Sequence, residues 1–151
     1  TIHTNDSSGA FPRLMDIGAE PFLIATSIMG IVAQRLVRLL CPHCKQKYMP
    51  SDFELAALGI TKEIAAASNV CKPMGCDKCN QKGNIGRTTI AELLIVDDEI
   101  RSLVMQRKDG ASIRKLAISK GMTTFRDHGI QKVLQGSVSI EELLSNTQLD
   151  L

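Results

Sequence analysis

The last third of the chain repeats one spacing of apolar residues four times. The spacing is i, i+3, i+4, which places three side chains on one face of an α-helix. It predicts four short helices that pack through narrow apolar stripes within residues 97–151, with glycines between them as stops. The four sets are Ile100, Leu103 and Val104; Ile113, Leu116 and Ala117; Ile130, Val133 and Leu134; Ile140, Leu143 and Leu144; the stops are Gly110, Gly121 and Gly136.

Two serines in this region are candidate helix N-caps. Ser112 and Ser139 each carry a side-chain oxygen that can accept from a free N–H group of the first turn. Glu142 stands three residues after Ser139, which is the capping-box spacing.

The earlier part of the chain alternates helical and strand-like segments. Loop residues with capping side chains precede the first predicted helix, and Pro21 suits the first turn of the second. An apolar, β-branched run after residue 86 predicts a strand. The predicted elements are a strand end at 1–4, a helix ending near residue 17 before Gly18, a helix from about 20 to 30, and strands at 31–40 and 87–96.

Composition narrows the class of protein. The formal charge is only +2, and the chain has four Phe, one Tyr and no Trp. Neither a basic patch nor stacking platforms are therefore available for nucleic acid. The longest nearly uncharged stretch, Pro21–Ala33, is thirteen residues, whereas a membrane-spanning helix needs about 20. We expect no nucleic-acid partner, no membrane span and, without a basic start and apolar centre, no signal peptide.

Four of the five cysteines form two CxxC pairs. Cys41 pairs with Cys44, Cys76 pairs with Cys79, and residues 45–75 separate the pairs. Two residues between paired cysteines let both sulfurs reach one ion from a tight turn, and four thiolates complete the tetrahedral shell of zinc. Such a closed shell is structural rather than catalytic, so binding energy becomes folding energy.

Other chemistry remains open for these thiols. They are free thiols, or two dithiol redox pairs, if no metal binds; a redox CxxC, however, usually opens a helix in a thioredoxin-like βαβ unit. Cys71 breaks the paired pattern and is expected to be a free thiol. His43 lies inside the first pair and is expected to face solvent.

Six short segments, in this order, resemble the type II secretion ATPase family (general secretion pathway protein E) and its relatives that power type IV pilus assembly. The resemblance covers nearly the whole chain and does not separate secretion from pilus members. The segments are HTND at His3–Asp6, the run Gly9–Gly18, EPFL at Glu20–Leu23, AQRLVRLLCPHC at Ala33–Cys44, GCDKC at Gly75–Cys79 and GR at Gly86–Arg87.

The resemblance implies an α/β fold: the C-terminal part of a RecA-like P-loop ATPase domain, with an inserted tetracysteine zinc subdomain and a C-terminal bundle of short helices. The implied divisions are 1–40 for the core remnant, 41–86 for the zinc subdomain, 87–96 for a returning strand and 97–151 for the helices. Family members form homo-hexamers on the cytoplasmic face of the inner membrane. They bind ATP with Mg²⁺ and drive an inner-membrane platform that extrudes a pseudopilus or pilus.

The resemblance also assigns site residues. His3 matches a histidine beside the γ-phosphate, and Arg87 matches an arginine near the adenine; the alternatives are a histidine that ends a core strand and a surface arginine. Gln34 and Arg35 match the QR of a family strand, where we expect a structural role. Thr4, Asn5 and Asp6 are expected to orient His3 or, more simply, to cap the next helix.

One departure from the family is large. No GxxxxGK[ST] segment occurs in the sequence, and this loop supplies the backbone N–H groups and the Lys that hold the β- and γ-phosphates. The acidic strand end that orders Mg²⁺ is also missing. In the family both lie upstream of HTND, so we expect the chain to start after them and not to hydrolyse ATP alone.

Two rival functions belong to other classes. The first is a zinc-stabilised interaction module without catalysis, and the second is a zinc-ribbon nucleic-acid binder, which the charge and aromatic content disfavour. If the helical stripes are local, Cys41→Ser should unfold the insertion and leave the C-terminal helices folded.

Overall fold

The computed structural model describes residues 4–147, which fall into two compact units. The first contains the residues up to Gln34 together with Ala91–Thr124, and the second contains Arg35–Ile90 together with the residues from Phe125 onward. The architecture is mixed α/β. Two long strands, β1 (Gly30–Leu40) and β4 (Asn84–Ile95), contribute residues to both units and hydrogen-bond to each other as a two-stranded sheet.

The first unit is built from four helices around one apolar core. Its core is lined by side chains from each helix and from the end of β4, and the stripes predicted for α5 and α6 are buried in it. The helices are α1 (Ala10–Asp16), α2 (Pro21–Ser27), α5 (Asp98–Met105) and α6 (Gly110–Ser119), and the core residues are Phe11, Ile24, Ala25, Leu94, Val96, Ile100, Val104, Ile113 and Ala117.

The predicted first helix and the strands predicted at 31–40 and 87–96 are confirmed, with shifted ends. The strand end predicted at 1–4 falls, apart from Thr4, outside the described residues. Gly18 follows α1 with φ +95°, a conformation that glycine adopts readily. The predicted end of α2 near Gly30 is wrong: the helix ends at Ser27, and Gly30 opens β1, where an added Cβ would lie 3.1 Å from the Leu94 carbonyl oxygen. Close strand pairing therefore replaces the last helical turn. The strand predicted at 87–96 begins three residues earlier, at Asn84.

All four C-terminal helices are confirmed, but the glycine and cap assignments hold only in part. Gly121 and Gly136 follow helices with positive φ, as predicted. Gly110 is not a stop, because it is the first residue of α6. Ser112 is not the N-cap of α6 either: its N–H group donates 2.7 Å to the side chain of Asp109, which is the N-cap.

Ser139 is confirmed as the N-cap of the last helix, α8 (Ile140–Asn146), since its side chain accepts from the N–H group of Glu142. The Glu142 carboxylate does not complete the expected capping box. It accepts instead from the backbone N–H and Nε of Arg38, at 2.9 and 2.8 Å. A charged partner on β1 thus replaces the local backbone donor.

The second unit surrounds the cysteine pairs with short elements. Its helices α3 and α4 were not predicted, although Ser51 and Glu54 form a complete capping box before the buried Leu55 and Leu58. The elements are β2 (Gln46–Lys47), α3 (Asp52–Leu58), α4 (Lys62–Ala67), β3 (Cys71–Lys72), a 3₁₀ helix (Asp77–Cys79), α7 (Phe125–Leu134) and α8 (Ile140–Asn146).

Within residues 4–147, no helix combines the length and the apolar character that a bilayer crossing requires.

The α5 N-cap gives the first unit a pH-dependent contact. Lys120 donates to Asp97 and holds the pKa of that carboxyl below its usual value, and the N–H group of Ile100 acts in the same direction. A lowered folded-state pKa contributes stability above the unfolded value of about 3.9 and loses it as pH falls. We expect Asp97→Asn to flatten the decline of melting temperature below about pH 4. Parallel declines in both proteins would contradict this.

Candidate metal centre

Each cysteine pair lies in a tight turn. Cys41 directly follows β1, and its carbonyl oxygen accepts from the N–H groups of Cys44 and Lys45 at 3.4 and 3.0 Å. In the second pair the N–H group of Cys79 donates 3.1 Å to the carbonyl of Cys76 through the 3₁₀ helix. Both turns therefore point two sulfurs to one side, as the CxxC spacing predicts.

The four sulfurs of Cys41, Cys44, Cys76 and Cys79 all lie within 4.8 Å of one another. The Sγ–Sγ distances are 3.9 Å from Cys41 to Cys76, 3.8 Å from Cys44 to Cys79 and 3.7 Å from Cys76 to Cys79. A tetrahedral ion with bonds of about 2.3 Å to sulfur needs sulfurs about 3.8 Å apart, whereas a disulfide needs about 2.05 Å. The geometry fits one shared metal ion.

Backbone N–H groups donate to two of the four sulfurs. Gly75 donates to Cys44 at 3.3 Å, and Cys76 and Gly83 each donate to Cys79 at 3.2 Å. Burial raises the pKa of the Cys79 thiol, but the N–H donors of Cys76 and Gly83 and the thiols of Cys76 and Cys44 outweigh it and lower the pKa to about 7. The thiolate is the form that binds metal.

The polypeptide between the pairs brings them together. Strands β2 and β3 pair antiparallel, with Gln46 opposite Lys72 and Lys47 opposite Cys71. The N–H group of Cys41 also donates 2.9 Å to the carbonyl of Gly83, directly joining the first turn to the segment after the second. A two-residue ladder and one direct hydrogen bond thus hold together two cysteine pairs that are separated by 31 residues in the sequence.

The structure agrees with what was expected of His43 and Cys71, the other two candidate metal ligands of the cysteine region. His43 is exposed. Cys71 is buried outside the four-sulfur cluster, and its thiol lies 3.3 Å from the Asn69 carbonyl oxygen. Neither residue supplies a fifth ligand atom to the cluster.

The predicted nucleotide residues are not brought into a described site. His3 lies outside the described residues, and Arg87 is exposed on β4, so both stay predictions. Gln34 is exposed. The Arg35 guanidinium lies 5.0 Å from the Phe125 ring centroid and donates to the Asn146 carbonyl, and its structural role stays a prediction that these contacts support.

Sequence reasoning missed a buried polar cluster in the first unit. Glu92 is 1% exposed, and its carboxylate accepts from Ser7 and Arg114. A signal was available: β-strand alternation places Glu92 on the same face as the buried Ile90 and Leu94. A carboxylate on a core face requires buried partners.

These features define a mixed α/β protein with four cysteine sulfurs placed so that they could hold one metal ion. Its residues 1–145 match the family model described as "Type II/IV secretion system protein". The chain therefore belongs to the type II/IV secretion system protein family.

Relatives from both branches of the family are similar to a comparable degree. Type II secretion system protein E of Pseudomonas aeruginosa is 43% identical over 98% of the chain, and type II secretion system ATPase E of Vibrio cholerae is 43% identical over 98%. The type IV pilus assembly ATPase PilB of Thermus thermophilus is 42% identical over 97%. The match covers 29% of each of the first two relatives and 16% of the third, so the chain spans less than a third of their length.

Proposed function

We propose that this chain is the C-terminal part of a hexameric, RecA-like ATPase that couples ATP hydrolysis to pseudopilus assembly and protein export through the type II secretion system. The observation that carries the proposal is the four-sulfur centre, in a chain that is similar to a secretion ATPase over 98% of its length. The ATPase acts in the cytoplasm at the inner membrane, against the platform proteins of the secretion system.

The four cysteines hold a structural Zn²⁺. Sulfur-only ligands at tetrahedral spacing suit zinc better than Mg²⁺ or Ca²⁺, which prefer oxygen. With four protein ligands no coordination position stays open for substrate, so the ion supplies folding energy and no chemistry.

ATP and Mg²⁺ bind in the full-length protein, with His3 at the γ-phosphate and Arg87 at the adenine. Arg87 is exposed on β4, where a guanidinium is free to stack on a base. The sequence contains no GxxxxGK[ST] segment, and residues 1–151 alone are inactive for lack of the phosphate-binding backbone.

Metal analysis tests the centre. We expect about one zinc per chain in freshly purified, reduced protein, because the four thiolates define one tetrahedral shell. Cys71→Ala is the matched control: it removes a buried thiol outside the cluster and should keep the same stoichiometry. Substantially less than one equivalent in the unsubstituted chain would refute the zinc assignment.

A deletion in the source organism tests which assembly the full-length protein drives. We expect deletion of the full-length protein to stop export of secreted proteins while surface pili remain. The type IV pilus relative, at 42% identity, supports a second candidate, pilus assembly; loss of pili with normal export would favour it. A full-length protein that binds its platform but does not hydrolyse ATP would favour the non-catalytic interaction module.

A further inference from the structure

A charged cluster is enclosed in the first unit, and one of its members, Ser7, lies close to His3 in the sequence. Glu92 on β4 and Ser7 are 1% and 0% exposed, and the Arg114 side chain of α6 is 17% exposed. A carboxylate in such a place is unfavourable unless it is paired and fully hydrogen-bonded.

Glu92 meets this requirement by accepting two hydrogen bonds from Ser7 and by pairing with Arg114. One carboxylate oxygen accepts from both the backbone N–H and the hydroxyl of Ser7, at 2.7 and 2.8 Å. The guanidinium of Arg114 contacts both carboxylate oxygens, at 3.3 and 3.2 Å. Two donors from one residue fix the position of its backbone as well as its side chain.

The turn around Ser7 is also held by hydrogen bonds among its own residues. An Asp6 carboxylate oxygen accepts from the Ser8 hydroxyl at 2.8 Å and the Gly9 N–H group at 2.7 Å, and the Thr4 hydroxyl donates 2.8 Å to the Asp6 carbonyl. The other Asp6 oxygen lies 3.9 Å from the Arg114 guanidinium. The N-cap of α1 is Gly9, without a side-chain cap bond, so the cap expected of Thr4, Asn5 or Asp6 is not formed. Asp6 instead accepts from the Gly9 N–H group, and the turn is positioned from its C-terminal side by Glu92.

We propose that Glu92, supported by Arg114, is a positioning residue for ATP hydrolysis and acts through the turn at residues 4–9, which follows His3 in the sequence. This inference rests on the proposed function, because His3 matters only where ATP is hydrolysed. A well-packed apolar residue often stabilises a core as well as a buried ion pair does. Glu92 provides what an apolar side chain lacks, two directed acceptor contacts to a single residue of the turn.

The expected kinetic effect follows from the tolerance of catalytic geometry. A displacement of about 1 Å at a reacting group costs on the order of 10²-fold in rate. Loosening Ser7 affects the turn after His3 and leaves Arg87 on β4 in place. We therefore expect a loss in kcat with little change in KM.

The test is a double-mutant cycle in the full-length protein. Glu92→Gln keeps the side-chain size but removes the charge paired with Arg114. We expect it to lower kcat at least about tenfold with KM within about twofold, and to lower kcat less than about twofold further when His3→Ala is already present. Coupled, non-additive losses are the signature of one residue acting through another.

Glu142→Gln is the matched control, since Glu142 is also a buried carboxylate held by an arginine, Arg38, in the other unit. Its effect on kcat should be small and additive with His3→Ala. If Glu92→Gln does not fold, Ser7→Ala, which removes one of the two donors, must show the same non-additivity.

Additive losses for Glu92 and His3, an unchanged kcat in Glu92→Gln, or an unchanged kcat in His3→Ala would each overturn the positioning role. A full-length, unsubstituted protein without ATP hydrolysis would overturn the proposed function itself, and this inference with it. The two failures are therefore told apart by the unsubstituted protein.

Discussion

Cys41→Ser is expected to unfold the whole second unit, including α7 and α8, and not only the segment between the cysteine pairs. Loss of one thiolate would open the shell of the proposed structural zinc, and the apparent binding free energy of such zinc is about 10–16 kcal/mol in small zinc peptides. A domain has only about 5–15 kcal/mol of stability in total. The metal centre is thus expected to decide whether this unit folds.

The coupling to α7 and α8 follows from contacts around the first cysteine turn. Leu40, directly before Cys41, donates its N–H group 2.8 Å to the Ser137 carbonyl. Lys45, directly after Cys44, donates its ammonium 2.6 Å to the Gly136 carbonyl. The residues that bracket the first pair therefore hold the turn between α7 and α8.

These contacts change the expectation that the C-terminal helices are independent of the metal centre. We still expect independence for α5 and α6, whose stripes form the core of the first unit. We no longer expect it for α7 and α8, because they belong to the cysteine-containing unit.

Hydrogen exchange measures the difference. Amides of α7 and α8 in Cys41→Ser should exchange fast, while those of α5 and α6 stay protected. Cys71→Ser is the control, since it changes a cysteine outside the cluster and should keep both pairs of helices protected. Slow exchange in α7 and α8 of Cys41→Ser would restore the independent behaviour first expected from the sequence.

The sequence predicted the features that are encoded within one helix or turn better than those that depend on tertiary contacts. The spacing of Ile100 and Val104, or of Ile140 and Leu143, is visible within one helix, and the CxxC spacing predicts within four residues which two sulfurs of a pair lie together. The ends of elements depend on distant neighbours instead. Gly30 belongs to a strand because its backbone lies close to that of Leu94. Leu94 is far from Gly30 in the sequence, so no local pattern could show this contact.

Side-chain roles were missed for the same reason. Ser139 and Glu142 have the spacing of a capping box, yet Glu142 accepts from Arg38, about one hundred residues earlier in the chain. Helices α3 and α4 are six or seven residues long, too short for a periodic stripe to stand out among turn residues. The Glu92 cluster joins residues 85 positions apart.

Gly136→Ala is expected to destabilise the second unit far more than Gly59→Ala. Both glycines follow helices of that unit with nearly equal φ, +71° and +67°, so an alanine costs each about 1–2 kcal/mol for the left-handed conformation. At Gly59 an added Cβ meets nothing within 4 Å. At Gly136 it would lie 2.4 Å from the Asn69 carbonyl oxygen and 3.2 Å from the Cys71 sulfur.

Overpacking of this kind adds about 1–3 kcal/mol, so the total loss for Gly136→Ala is about 2–5 kcal/mol. Urea unfolding of the two variants measures the difference. Equal losses would mean that the backbone of Asn69 moves aside freely.

The same pair of variants tests whether the turn supports the metal centre. An alanine at 136 pushes on Asn69, whose N–H group donates 2.8 Å to the Leu134 carbonyl, and Asn69 leads into β3, which pairs with β2 beside the first cysteine turn. We therefore expect a chelator to remove zinc faster from Gly136→Ala than from Gly59→Ala. If both variants release zinc at the same rate, strain at the turn does not reach the cysteines. The contacts of Leu40 and Lys45 would then depend on the metal centre but would not stabilise it.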